Sequence, residues 1–480
     1  MAPAAALTGC QKPAIQPNLP QAYFPLNAAR RGKPPIIFIP GILGSSLVNR
    51  RTGHTVWPDL MVDSDAIALP ISSPVLSQNT DEIVAEEVVE NAKVSALIPE
   101  ISIYGSMLES LERYGGYRRG RIDAPPPGGD CDTLYLFAYD WRRDLVESAQ
   151  ALGCRIEELK RKLGRPDLRF DIVTHSMGGL VARYYAMYGG RDVLDDPVAS
   201  PDWSGAQNLN RVVMIATPNA GSISALRVLL RGFSALSFAR PFGYMPFNLG
   251  RKLPFARVGP RVTFTVPAIY QMLPPEGEAR FLSSTLTQLP VDLYDVETWR
   301  RYKWSAAFDS KSRRKEFEHL VNKLGPSAAK AESLRRALER ERFLQVVLRR
   351  SEAFHEALAV ECQPPPSLSI SLIGADCLPT LDAAVIFKGM FPRTIFSIAE
   401  FRGDKESRRK AEDLMFADGD GTITLHSLFG RQFNAQQLVT VSSSIRSPRG
   451  GTTLFCDTHN GLTHDRDVQN TLLKELILNR

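Results

Sequence analysis

Phe170-Asp171-Ile172-Val173-Thr174-His175-Ser176-Met177-Gly178-Gly179-Leu180 is the stretch on which the fold of this chain turns. Its first four residues form a short apolar-rich run that reads as a buried strand, and Leu180 to Met187 read as a helix. Between them a serine stands in a tight turn closed by two glycines. A strand-to-helix turn of this kind lifts a serine Oγ above the edge of a sheet, and small neighbours relieve the crowding. The regular pattern is Gly-x-Ser-x-Gly, whereas here the β-branched Thr174 takes the first glycine position. The preceding strand, His175 and the Gly178-Gly179 pair carry the reading despite that departure. They make Ser176 the candidate nucleophile.

Further strands lie on either side. Ile36-Ile37-Phe38-Ile39 is an apolar run bounded by Pro35 and by Pro40-Gly41. Thr133 to Tyr139 reads as a strand ending at Asp140-Trp141, and Arg211 to Ala216 as another before Thr217-Pro218-Asn219. Ser369 to Ile373 and Leu438 to Ser442 are later candidates, and helices are expected over 145–162 and 466–478. Strands alternating with helices predict an α/β fold with a mainly parallel sheet flanked by helices, whose sites lie at the carboxyl ends of the strands. Residues 1–33, rich in Ala and Pro, read as a tail and linker. The core is expected over 34–221 and 366–480. From 222 to 365 the character changes to Pro-rich loops and then charged helical sequence such as Lys311 to Arg350, read as a large inserted cap.

Composition narrows the classes. The 480 residues are 44% hydrophobic and 23% charged, enough for a sizeable core. The formal charge of +6 permits contact with an anionic membrane surface, and no nucleic-acid motif accompanies it. No apolar run approaches the roughly 18–20 residues needed to span a bilayer. The six cysteines are scattered without CxxC spacing, which argues against a zinc or redox site and allows one or two disulfides. Leu7-Thr8-Gly9-Cys10 reads like a bacterial lipobox, although the stretch before it lacks a basic residue and is shorter than the about 7–15 apolar residues of a signal core. Two expectations follow: a lipidated Cys10 at a bacterial cell envelope, or a disordered tail on a cytoplasmic protein.

A serine hydroxyl is a poor nucleophile at neutral pH and needs a base, normally histidine, oriented by a carboxylate. On such a sheet the chain order is serine, acid, histidine. His319 and His355 lie in charged helical sequence and are expected to be solvated. His426 follows the Gly419-Asp420-Gly421-Thr422 turn too closely to serve with an acid there. His459 and His464 remain, and His459 is favoured because it falls in a loop, with Asp465 as the N-cap of the last helix. Asp420 is the favoured acid, with Asp418 behind it. A calcium-binding or structural loop is the alternative for that turn, but the oxygen-ligand run of an EF-hand is missing. Oxyanion donors are expected from the backbone N–H of Met177 and of the loop Pro40 to Gly44, at Ile42.

Together these segments resemble the lecithin:cholesterol acyltransferase family of α/β-hydrolases. The resemblance rests on Phe38 to Ser45, Tyr139-Asp140-Trp141-Arg142, Thr174 to Gly179, Thr217 to Ser222, Gly374 to Pro379, Gly419 to Ile423 and the stretch from His459 onward. It covers the core and matches the cap poorly. It implies a Ser176, Asp420, His459 triad with the oxyanion position on Ile42, and no metal or cofactor. It also implies cleavage of an acyl ester of a glycerophospholipid or similar lipid, the acyl group passing to an alcohol or to water. Tyr139 to Arg142 is the most discriminating piece; from the residues alone, Asp140 and Arg142 read as a buried ion pair. A membrane-docking element is part of the family picture, and Arg227 to Pro254 mixes Arg with Phe, Leu and Met as an interfacial segment would. Ordinary cap core is the other reading of that stretch. An esterase or thioesterase for small soluble esters, and a catalytically inactive lipid-binding module, are the competing functions.

Overall fold

The computed structural model describes residues 31–59, 64–92, 101–196, 198–234, 257–305, 307–308, 310–389, 392–430, 440–441 and 452–478. Cys10 and its lipobox-like run lie outside the described residues, as does most of the segment read as interfacial.

The central sheet has eight strands: β1 (Ile36–Ile39), β2 (Arg118–Gly120), β3 (Thr133–Leu136), β4 (Phe170–His175), β5 (Leu209–Ile215), β6 (Ser369–Ala375), β7 (Thr440–Val441) and β8 (Thr452–Phe455). Their spatial order is β7-β8-β6-β5-β4-β1-β3-β2, and every neighbouring pair is parallel. This is an α/β-hydrolase sheet. Helices cover both faces, α1 (Gly105–Arg113), α2 (Leu145–Leu163), α3 (Met177–Tyr188) and, later in the chain, α5 (Arg466–Ile477), while α4 (Pro326–Ala359) packs on α3. Burial on both faces explains why β1 reads as a continuous apolar run and β4 as an apolar-rich one. Successive residues of β1 serve different cores: Ile37 and Ile39 pack with Leu152 of α2 and Leu180 of α3, while Ile36 and Phe38 pack with Leu108 of α1 and Leu472 of α5.

The caps are equally local. Asp144 accepts from the Val146 N–H at the start of α2, and Asp465 accepts from the N–H groups of Asp467 and Val468 at the start of α5, as expected of an N-cap carboxylate. Cys377 and Cys456 form a disulfide that joins the chain after β6 to the chain after β8. Between β5 and β6, Arg280–Ser283 pairs in parallel with Ala383–Phe387, which pairs antiparallel with Arg393–Ile395. This small sheet joins Ala383–Phe387 and Arg393–Ile395, which follow β6, to Arg280–Ser283, which precedes it. None of the described helices is long and apolar enough to cross a membrane.

The expectation of a solvated His355 is overturned. His355 is 4% exposed. Phe343, Leu344, Val347, Leu348, Ser351, Phe354, His355 and Leu358 recur at helical spacing, so α4 has one buried stripe beneath its charged face. That stripe rests on α3: Arg183 donates to the Leu358 carbonyl at 2.8 Å, and Phe354 stacks on Tyr184. Burial, with the Arg183 charge behind it, lowers the His355 pKa to about 4. A depressed histidine stabilises the fold fully above its unfolded value and loses that contribution as pH falls toward the folded one. Between about pH 6.5 and pH 4 this group therefore accounts for about 3 kcal/mol. Urea midpoints of wild type and His355→Leu at pH 7.5 and 4.5 check it: the variant should lose less stability on acidification, and parallel losses would contradict the assignment.

Candidate active site

The strand order reverses at β1, which has β3 on one side and β4 on the other. In open α/β sheets such a switch opens a crevice at the carboxyl ends. The turns after β1 and β4 meet there, and Ile39 and Thr174 are register partners immediately before them.

Ser176 sits at φ 52° and ψ −126°, a strained conformation for a residue with a Cβ. Its N–H donates to the Ile215 carbonyl of β5 at 2.7 Å, which anchors the turn. Gly178 is required by contact: a Cβ there would lie 2.5 Å from the Pro40 oxygen and 2.6 Å from that of Ile39. Thr174 is tolerated at the usual glycine position because it is still within β4, where its hydroxyl donates to the Val213 carbonyl.

The loop after β1 lies against this turn; a Cβ on Gly41 would approach Ser176 Cβ to 2.9 Å. Aromatic donors hold its carbonyls. The Tyr139 hydroxyl donates to Pro40 at 2.8 Å, Trp57 Nε1 to Leu43 at 2.8 Å and Trp141 Nε1 to Ser45 at 3.1 Å. With those oxygens turned to the protein, the Ile42 N–H has no acceptor among the described residues. Met177 opens α3, where no earlier turn supplies an acceptor for its N–H. Arg142 anchors the supporting segment. It is fully buried and bridges Asp140 at 2.8 Å and Asp81 at 2.7 Å, so the ion pair has a third member that sequence reasoning missed.

Asp420 and His459 come from the far part of the chain. Asp420 is 2% exposed; its Oδ1 accepts from the N–H groups of Thr422 at 2.9 Å and Ile423 at 2.7 Å. Its Oδ2 lies 2.7 Å from His459 Nδ1, and His459 Nε2 lies 2.9 Å from Ser176 Oγ. Burial pushes the Asp420 carboxyl up, but the adjacent His459 and the two backbone donors outweigh it, so the group stays below its ordinary value. A carboxylate there accepts from Nδ1–H, and in the neutral imidazole that tautomer turns the acceptor nitrogen Nε2 toward the serine hydroxyl. The alternatives lie elsewhere. Asp418 is exposed, His319 is exposed, His426 meets Glu278 at 2.7 Å, and the His464 N–H donates to the Gly461 carbonyl. The arrangement places a hydroxyl, an imidazole and a buried carboxylate in one hydrogen-bonded line.

Residues 84–245 match the family model of lecithin:cholesterol acyltransferase. No curated protein matches the chain. Among solved structures, a chain of the Tle4–Tli4 complex is similar over 92% of this chain and 98% of its own, with a TM-score of 0.50 and 15% identity, a likeness of fold. Phospholipase PlaB from Legionella pneumophila matches 34% of this chain and 29% of its own, with a TM-score of 0.19 and 21% identity, too little to carry an argument.

Proposed function

Starting from a lecithin:cholesterol acyltransferase-like α/β-hydrolase, we propose that the protein is a serine-dependent lipid acyltransferase or acylhydrolase. The observation that carries this reading is His459 within hydrogen-bond reach of both Ser176 and Asp420. His459 Nε2 takes the Ser176 proton as Oγ attacks the acyl carbonyl, and the tetrahedral oxyanion is held by the N–H groups of Ile42 and Met177. The proton then passes from Nε2 to the leaving alcohol, and an acyl-Ser176 ester remains. Water or a second alcohol attacks that ester by the reverse proton path. Asp420 remains ionised throughout, holding the tautomer and stabilising the imidazolium. The lipid substrate follows from the family match and not from the triad, which suits any acyl ester.

The test uses glycerophospholipid vesicles with and without a long-chain alcohol, with products read by mass spectrometry. Release of fatty acid, or its transfer to the alcohol, is the expected result. Turnover of short soluble esters with no action on the vesicles would leave the serine chemistry standing and overturn the lipid reading.

A further inference from the structure

A second line of contacts runs behind the serine, and every member of it is neutral. The Gly41 N–H donates to Tyr104 Oη at 2.9 Å, and Tyr104 Oη lies 3.0 Å from His175 Nδ1. His175 Nε2 lies 3.1 Å from the His459 carbonyl oxygen. The two ends set the direction, because a backbone N–H only donates and a carbonyl only accepts. His175 therefore carries its proton on Nε2, its Nδ1 is bare, and the Tyr104 hydroxyl points at it. For a neutral imidazole no other tautomer satisfies all the contacts.

Both side chains are buried, Tyr104 at 3% exposure and His175 at 4%. The Tyr104 ring is held edge-on against Phe38 of β1, with ring centres 5.0 Å apart. Burial, reinforced by the neighbouring His459, lowers the His175 pKa to about 3, and burial raises that of Tyr104. The line stays uncharged where an imidazolium forms on His459, whose ring centre is 5.0 Å from that of His175. A charged His175 would oppose that step by like-charge repulsion.

What the line joins gives it a function. Gly41 immediately precedes Ile42, and His459 is otherwise held at its backbone by its N–H to the Asp420 carbonyl at 2.9 Å. Fixing both the N–H and the carbonyl of His459 fixes the direction of its side chain, and with it the reach of Nε2 to Ser176. We infer that Tyr104 and His175 are positioning residues that couple the loop bearing the Ile42 N–H to the backbone of His459, so that oxyanion donor and base keep one spacing. This inference rests on the reading of Ser176, Asp420 and His459 as the triad.

Steady-state kinetics of the full chain on a soluble chromogenic ester test it, with melting temperatures measured alongside. Tyr104→Phe removes one oxygen and keeps the ring; kcat should fall about tenfold with KM unchanged, since the misplacement acts on the reacting atoms. His175→Leu should lose about a hundredfold. His175→Gln, which still offers one donor and one acceptor, should recover kcat to within about threefold of wild type. A role in folding alone would instead lower melting temperature and kcat in step, without rescue by glutamine, and that pattern overturns the inference. Wild-type kcat in Tyr104→Phe beside an inactive Ser176→Ala overturns the coupling and leaves the triad standing. Retained turnover in Ser176→Ala overturns the triad itself. If His175→Leu fails to fold, the loss or retention of kcat in Tyr104→Phe decides.

Discussion

Ser176→Ala should abolish ester turnover, with a fall in kcat of about 10⁵-fold or more, and should leave the protein folded. The size follows from the chemistry: without Oγ no acyl-enzyme forms, and His459 can only direct water at a carbonyl it was not placed to serve. The fold should survive because the anchor of the turn is the Ser176 N–H to Ile215, a backbone contact that alanine keeps. Intact-protein mass spectrometry after treatment with a fluorophosphonate checks the assignment directly. Wild type should gain a single adduct and the variant none. An adduct in Ser176→Ala would move the nucleophile elsewhere, and a folded wild type without any adduct would favour an inactive binding module.

His459→Ala should be nearly as damaging, and Ser176→Ala/His459→Ala no worse than either single change. Members of a triad act as a unit, so once one is lost the other has little left to contribute. His464→Ala is the control. Its backbone N–H closes a local turn at Gly461, and its side chain makes no contact with Ser176 among the described hydrogen bonds. Rates within about threefold of wild type are expected for it, as for a change away from reacting atoms. An inactive His464→Ala beside an active His459→Ala would make His464 the base and overturn the assignment to His459. Additive losses in the double variant would mean that serine and histidine serve separate steps.

Much of the fold was legible because its signals are local. A four-residue apolar run closed by proline on both sides, as in β1, and an apolar-rich run leading into a serine–glycine turn, as in β4, both read as buried strands of a sheet covered on both faces. Arg118–Gly120 escaped notice because an edge strand of two arginines and a glycine carries no apolar pattern. His355 was misread for the opposite reason. The charged residues around it dominate the composition of α4, and only helical spacing separates the buried stripe from the solvated face.

The sequence by itself determined the strand-turn-helix around Ser176, the parallel sheet and the glycine that lets β1 pass the turn. Each depends on steric rules acting over a few residues. Tertiary structure alone decided which histidine stands beside Ser176, which carboxylate meets it, and that Asp81 completes the Arg142 pair. It alone also placed Tyr104 between Gly41 and His175, 63 and 71 residues away. A hydrogen bond depends on distance and direction in space, and residues far apart in the chain acquire those only when the sheet brings its carboxyl ends together.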